Sequence, residues 1–486
     1  MNHSLLPATG ILLFCCLFYL SRNRRRLPLP PGPKGFPLIG NLWDVPAKYP
    51  WVTYARWTGH LRSAQAAEDL FEKRSGNYSD RPDFTMINLT GWGFNLGLMR
   101  YSDRWRMYRR MFHQYFQPRA VPAYNPVQTR ATSVLLQQLH ESPDALVHHV
   151  RHYAGSVIMK INANGDKFVE LVDRGLESVR IVGNVGTFLV DYIPSLKYLP
   201  RWLPGTNFLS LASSWRKDVE DMINKPFEYA SDSLANGFVS SSFVSKNLTK
   251  LKNMGMPENA TQLEIIRNTA AVAFAAGADT TVSAILSVIL AFILYPEVQA
   301  KAQAELDAVV GPTRLPNFDD RPQLPYIDAI LLEALRWNPV VPMGIAHRSV
   351  KADVYRGYYI PAAKGQIDAR CRAILHDEKS YPNPLVFNPD RFMHEDGKEL
   401  QPNPIAAFGF GRRICPGRYL AMNTIWIAIA SMASTLSFSK AVDSEGRVAE
   451  PSDTFTDGLL SFPVPFKCTI KARSTQAQTV IDSGGL

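Results

Sequence analysis

Phe408-Gly409-Phe410-Gly411-Arg412-Arg413-Ile414-Cys415-Pro416-Gly417 runs straight into a long apolar stretch, Pro416 to Phe438. That stretch is long enough for about six helical turns, and proline suits the first helical position. Cys415 is thereby placed at a helix N-terminus, where unpaired N–H groups and the positive end of the dipole favour a thiolate. Gly411 and Gly417 let the backbone approach a large flat ligand, and Arg413 can pair with a ligand carboxylate. The five cysteines include no Cys-x-x-Cys pair, so neither a zinc site nor a disulfide scaffold is indicated. A solitary thiolate suits a metal whose other ligands come from elsewhere, and haem with one axial cysteine fits. The plain alternative, a buried free cysteine, leaves the glycines, the arginine and the helix start unexplained.

Upstream, Thr269 to Tyr295 carries a single charge, Asp279. Hydropathy alone makes it a membrane span. The alternative is a helix through the centre of a large soluble core, apolar all round. Gly277, Asp279, Thr280 and Thr281 in its middle favour the core helix, because an acid and two hydroxyls at mid-bilayer are costly. Pro257 and Pro296 bracket an element about 50 Å long. Helical period also marks Thr129–His140, Asp166–Val182, Leu211–Leu234 and Val298–Val309, and β-rich patches lie near Asp353–Pro361 and Phe462–Ile470. The expected fold is mainly α with small β-sheets.

At the N-terminus, Leu5 to Leu20 is uncharged and is followed by Arg22, Arg24, Arg25 and Arg26. A cleaved signal carries its positive charges before the apolar run. Here they come after it, which predicts a retained anchor over 1–21 with a cytosolic body. Four prolines in Pro28–Pro33 make a stiff extended segment, so 22–40 is a basic, proline-rich hinge, 41–473 the catalytic domain and 474–486 a C-terminal tail. The composition, 46% hydrophobic and 20% charged, excludes disorder and rods. A net charge of +10 admits a membrane surface, nucleic acid or an acidic protein. Four of the surplus charges sit beside the anchor and no nucleic-acid motif occurs, so nucleic acid is set aside.

The Phe408-x-x-Gly411-x-Arg413-x-Cys415-x-Gly417 pattern resembles the haem-binding signature of the cytochrome P450 family of haem-thiolate monooxygenases, and other matches fall in the family's order. The resemblance implies a large α-rich haem-thiolate monooxygenase fold, a single catalytic domain behind the anchor, and haem b ligated by Cys415. Ala276–Thr281 resembles the oxygen-activation motif, in which Gly277 leaves room for dioxygen, Thr280 offers a hydroxyl and protons, and Asp279 relays them. The ordinary role of such a threonine is a bond back to its own helix. Glu333-x-x-Arg336, with Arg391 in Phe387-x-Pro389-x-Arg391-Phe392, resembles the family's buried charge network. Glu177–Arg180 and Glu264–Arg267 repeat that spacing, so only its order in the chain singles it out. Trp105-x-x-x-Arg109 resembles the pair that meets a haem propionate, with His113 and Arg348 as further candidates. The implied reaction inserts one atom of dioxygen into a lipophilic small molecule, as in fungal secondary-metabolism members. Its electrons come from an NADPH-dependent flavoprotein reductase at the endoplasmic reticulum membrane.

Position relative to these motifs nominates Phe84, Met86, Trp92, Phe94, Phe274, Ala278, Met343 and Leu460 as pocket lining, with core packing as the equal alternative for each. Arg104, Arg106, Arg110, Arg412 and Arg418 make a candidate docking patch for an acidic reductase, or a solvated face. Three stretches depart from the family. No room remains between Trp51–Gly59 and Leu61–Asp69 for the usual hairpin, a loop after Ile161 is short, and Lys364–Arg372 is polar where an apolar strand and a Trp-Ala-Ile are usual. Unpaired sheet edges are then expected, and the alternative function is a family member that holds haem poorly or is inactive.

Overall fold

Runs with an apolar residue every three or four positions fold as helices and make up most of the chain. The computed structural model describes residues 27–36, 41–46, 48–58, 63–162, 168–184, 186–237, 242–254, 259–362, 370–394 and 400–484. The anchor expected over 1–21 lies outside the described residues, as do 59–62, 163–167 and 363–369, which hold much of the three departures. The longer helices are α1 (Pro50–Thr58), α2 (Asp103–Phe116), α3 (Asn125–Glu141), α4 (Leu146–Asn162), α5 (Val169–Val182), α6 (Asn207–Ala235), α7 (Phe243–Asn253), α8 (Ala260–Leu294), α9 (Pro296–Val309), α10 (Pro325–Trp337), α11 (Arg418–Thr435) and α12 (Thr475–Asp482).

The apolar run around Asp279 is α8, and it passes through the middle of the molecule. By length and composition it could cross a membrane, yet 78% of its most apolar window is buried by protein. Polar groups along its middle find protein partners, which lipid would not supply. Ser283 Oγ donates to Ser461 O, Ser287 Oγ donates to Ser283 O at 2.8 Å, and Asp279 is held by two arginines. Helix α4 lies against α8 so closely that a Cβ on Gly277 would stand 3.0 Å from Ile158 Cγ1. Gly277 therefore serves the helix crossing as well as the cavity beside it, and a side chain there forces one helix away, at about 1–3 kcal/mol.

The cysteine segment differs from its expected form. Gly417 is the N-cap of α11 and Pro416 precedes it, so the proline does not start the helix. The helix ends at Thr435, and Leu436–Lys440 is strand β3 rather than more helix. In Leu436-Ser-Phe-Ser-Lys the apolar residues alternate, and Leu436 and Phe438 turn inward. The period of two prevails, with β4 (Cys468–Ala472) as antiparallel partner in the register Leu436↔Ala472 to Lys440↔Cys468. The expected tail contains α12, capped by Ser474 and docked through Ala477, Val480 and Ile481.

The other described sheet is the hairpin β1 (Asp353–Tyr355) and β2 (Tyr358–Ile360). No strand joins it from the shortened N-terminal region among the described residues, but its edges are covered. Arg74 Nη1 donates to Val354 O (2.9 Å) and Asp353 Oδ2 (2.8 Å) on one side, and Tyr359 N donates to Pro28 O (2.7 Å) in the hinge on the other. The hinge is thus pinned to the body at Pro28.

Arg372 marks the cost of the third departure. Its guanidinium sits among Trp51, Trp337 and Phe455, its Nη1 is buried without a partner, and burial beside the Arg336 cation pushes its pKa down to about 10. An unsatisfied buried donor costs about 1–3 kcal/mol. Arg372→Trp is expected to recover about that much, read as a rise in Tm of the purified protein; an unchanged or lower Tm refutes the account.

Candidate functional site

A cavity of about 790 Å³ opens between α2, α4, α5, α8 and the segment leading into α11. Cys415 lines it. The sulfur is positioned by the turn ahead of α11: Cys415 N donates to Phe408 O (2.8 Å), and Arg418 Nη1 donates to Cys415 O (3.0 Å). The N–H groups of Gly417 and Arg418 point at it as a helix N-terminus requires, and Arg109 and Arg418 add positive charge. Burial nevertheless outweighs them and pushes the thiol pKa up. A bound metal would offset that burial and favour the thiolate expected from the helix start.

Gly417 lines the cavity, and a Cβ there would meet nothing within 4 Å, which suits a flat ligand close to the backbone. Gly411 has another task. It does not line the cavity, its φ is +57°, and a Cβ on it would stand 2.0 Å from Phe71 O. Its missing side chain lets the turn pack on residues 71–72, where Gly411 N donates to Glu72 Oε1 at 2.5 Å.

Helix α2 presents Trp105, Arg109, Phe112 and Phe116 to the cavity. His113 is exposed and outside it. Eight residues from Trp105 the helix has turned about 80° off that face, whereas seven residues return within about 20°. Arg348 also misses. It turns out to Asp80 (2.6 Å) and Asp83 (3.5 Å), and its neighbour His347 turns in, because extended chain alternates faces. His347 Nδ1 lies 2.6 Å from Tyr78 O, and burial pushes the imidazole pKa down, so the ring is neutral. Arg81 also lines the cavity, spending donors on Gly97 O (2.8 Å) and Ala346 O (2.8 Å). Nothing periodic in the sequence marks Arg81. Arg413 lines the cavity but gives its donors to Ser79 O (2.7 Å), Leu96 O (3.2 Å) and Met99 O (2.8 Å), and burial pushes its pKa down to about 10. It buttresses Trp105, whose ring lies 4.4 Å from the guanidinium.

Two donors beside Cys415 are left over. Trp105 Nε1 is buried with no partner, and the Arg109 guanidinium is buried with its pKa lowered and with no hydrogen bond among the described residues. Two orphaned donors on one helix face, next to a cavity-lining thiol, fit the acidic edge of a porphyrin. The residues present therefore fit haem.

Thr280 lines the cavity, and its Oγ1 donates to Ala276 O (2.7 Å), the ordinary back-bond. Asp279 does not line it. Arg151 of α4 (2.8 Å) and Arg180 of α5 (2.6 Å) clamp it, and Asp173 braces both arginines. Of the nominated pocket residues, Phe84, Trp92, Met343 and Leu460 line the cavity, whereas Met86, Phe94, Phe274 and Ala278 pack in or against the core. Behind the cavity, Glu333 Oε2 accepts from Arg336 Nε (2.7 Å), and Oε1 from Arg336 Nη2 (2.8 Å) and Arg391 Nε (3.2 Å).

A thiol at the start of a helix on the wall of an apolar chamber, flanked by unpaired donors for carboxylates, fits a haem-thiolate oxygenase. Family comparison agrees: the cytochrome P450 model matches residues 30–469. A cytochrome P450 monooxygenase of Armillaria gallica is 41% identical over 97% of each chain. One from Rhodocybe pseudopiperita is 41% identical over 95% of this chain and 92% of its own. Tryptamine 4-monooxygenase of Psilocybe cyanescens is 38% identical over 96% of this chain and 97% of its own. The chain belongs to the cytochrome P450 family and is a haem-thiolate monooxygenase.

Proposed function

We propose that the chain is a membrane-anchored enzyme of fungal secondary metabolism that oxygenates a lipophilic small molecule with dioxygen and electrons from an NADPH-dependent flavoprotein reductase. The observation that carries the reading is Cys415 on the wall of an apolar chamber that Thr280 also lines. Haem, when bound, supplies the oxygen activation, and the thiolate pushes electron density toward O–O cleavage. Cys415 would hold the group, and Trp105 Nε1 and Arg109 would take its carboxylates. The Thr280 hydroxyl holds a proton at the chamber wall. Asp279 joins a proton path only when Arg151 and Arg180 let go of it, so movement of α5 is tied to proton entry. The substrate sits among Phe84, Trp92, Ile158, Val182, Met343 and Leu460, which exclude water from the reacting carbon. Fungal relatives, one named for tryptamine, favour a small, largely apolar substrate. The reaction is tested by labelled dioxygen, one atom of which enters the product when reductase and NADPH are present.

A single-pass anchor in the endoplasmic reticulum agrees with the apolar N-terminus and with a cluster of bare apolar side chains on the body. Trp43 is 75% exposed, Tyr198 79% and Trp202 80%. Val45, two residues after Trp43, lies against residue 186, where a Cβ would stand 2.8 Å from Val45 Cγ1.

The reductase is expected on the basic face near Cys415. Arg106 and Arg412 converge over the Tyr101 ring (4.9 and 5.6 Å), and Arg110 is exposed on the same helix as Arg106. Arg104 instead pairs with Glu264, and Arg418 faces Cys415 O. Reversing Arg106 and Arg110 to glutamate is expected to slow reduction by the reductase about tenfold or more at low salt, with substrate binding unchanged. Equal stopped-flow reduction rates would refute the patch.

A further inference from the structure

Residues 457–460 form the tip of a hairpin that is tied down on every side. Thr456 N donates to Phe462 O (2.7 Å) and Phe462 N to Thr456 Oγ1 (3.0 Å), which closes the loop above the Phe455–Pro463 bridge. Just past the tip, Ser461 N donates to Val340 O (2.9 Å) and its hydroxyl to Asn338 Oδ1 (2.9 Å). The Ser461 carbonyl accepts from Ser283 on α8 and from Asn338 Nδ2 (3.2 Å). Ser283, Asn338 and Ser461 are fully buried. On the other side the tip abuts the end of α5, where a Cβ on Gly183 would stand 2.5 Å from Leu459 Cδ2. The tip is therefore a fixed part of the cavity wall, the kind of rigid support that can hold a recognition group to a fraction of an ångström.

Asp457 begins that tip, and it is the one carboxylate among the described residues that line the cavity. Other acids of this protein are engaged: Asp279, Asp80, Asp353 and Glu333 each hold an arginine. Asp457 makes no ion pair and no side-chain hydrogen bond among the described residues, although the cavity is also lined by Arg81, Arg109 and Arg413. Its polar neighbours give it no donor. Asn184, which lies 3.8 Å from where a Cβ on Gly458 would stand, spends its Nδ2 on Arg180 O (3.2 Å) and keeps Oδ1 as an acceptor. Thr187 donates its hydroxyl to Asn184 O (2.8 Å). This end of an otherwise apolar chamber thus offers acceptors and negative charge and has its own donors committed elsewhere.

We propose that Asp457 anchors the substrate and that the substrate accordingly carries a cationic nitrogen, a protonated or quaternary amine. Asn184 Oδ1 is the second acceptor. Asp457 is exposed and bears no partner cation among the described residues, so it is free to attract one through the open chamber. A neutral molecule gains nothing from it and an anion is repelled, which makes the tip a selector as well as an anchor. The inference rests on the chamber being the substrate site of a haem-thiolate monooxygenase.

The test uses the full-length holoenzyme and spin-state titration. The probes are ω-phenylalkyltrimethylammonium ions of increasing chain length and their carbon isosteres, in which a tert-butyl group replaces the ammonium. A quaternary nitrogen has no lone pair to ligate iron, so the spectral shift reports occupancy of the chamber. Asp457→Asn is expected to weaken the best ammonium probe about tenfold, the equivalent of 1.4 kcal/mol, with its isostere unaffected. Asp457→Glu is expected to keep most of the affinity. The proposal is overturned if no ammonium ion binds the wild type, if Asp457→Asn weakens ion and isostere alike, or if it weakens neither. The carbonyl-bound spectrum of the same samples reads the Cys415 site independently. A normal spectrum with unaltered ammonium affinity sinks this assignment alone, whereas an abnormal wild-type spectrum sinks the reading beneath it.

Discussion

A Cys415→Ala protein is expected to lose the red-shifted Soret band of the reduced, carbonyl-bound haem thiolate and all monooxygenase turnover, while Cys371→Ala keeps both. The pairing of variants matters because the cavity is lined by two cysteines and a histidine, and each is a chemically competent ligand. Three observations select Cys415. Peptide N–H groups from Gly417 and Arg418 point at its sulfur. Arg109 lines the same cavity and lies on the same helix face as the orphaned Trp105 Nε1. Gly417, two residues on, leaves open space for a flat ligand. His347 is tied through Nδ1 to Tyr78 O, and Cys371 begins a short helix well away from α11 in the chain. Folding should survive the change, since a thiol that burial already keeps protonated is replaced by a smaller apolar group. Loss of the band in Cys371→Ala, or its survival in Cys415→Ala, would move the metal to a different residue. A wild type without the band would favour the haem-poor alternative that the shortened N-terminal region suggests.

What could be seen in the sequence was local. Cys415, Gly417 and Trp105–Arg109 sit within single turns, where the spacing of side chains on one helix or the start of another fixes their geometry. What could not be seen depended on partners far apart in the chain. Arg151 and Arg180 carry no mark that they will meet across Asp279, 128 and 99 residues away. Gly411 reads as a ligand-approach glycine until Phe71 O is found where its side chain would be. Arg348 turns to Asp80 and Asp83 while His347, one residue before it, faces the cavity, because sequence does not say which face of an extended segment turns inward. Asp457 sits in a loop with no periodicity at all, and only the pinning of Ser461 to Asn338 and α8 makes it part of the chamber.

The largest stability effect is expected at Glu333. Its carboxylate is completely buried and accepts from Arg336, Arg391 and Asn388 N (2.8 Å). The arginines extend the network, Arg336 to Leu375 O and Pro384 O (3.2 and 2.8 Å), and Arg391 to Pro382 O and Gln401 Oε1 (2.9 and 3.0 Å). One buried charge thereby ties residues 375–391 and Gln401 to α10, whose Leu335 lines the cavity. Glu333→Gln keeps the shape and removes the charge, leaving two buried guanidinium groups facing neutral acceptors. Breaking a buried pair from one side costs about 3–5 kcal/mol, a large fraction of the roughly 5–15 kcal/mol that holds a domain folded. The expected outcome is a steep fall in holoprotein yield and Tm. Glu220→Gln, which removes one half of an exposed pair with Arg216, should change stability by no more than about 0.5–1 kcal/mol. The double variant Glu333→Leu with Arg336→Met should lose less than the sum of its single changes, because Glu333→Leu alone strands both Arg336 and Arg391 whereas the double strands only Arg391. Additive losses would mean that Glu333 and Arg336 act as separate packing groups and that the charge pair between them contributes nothing of its own.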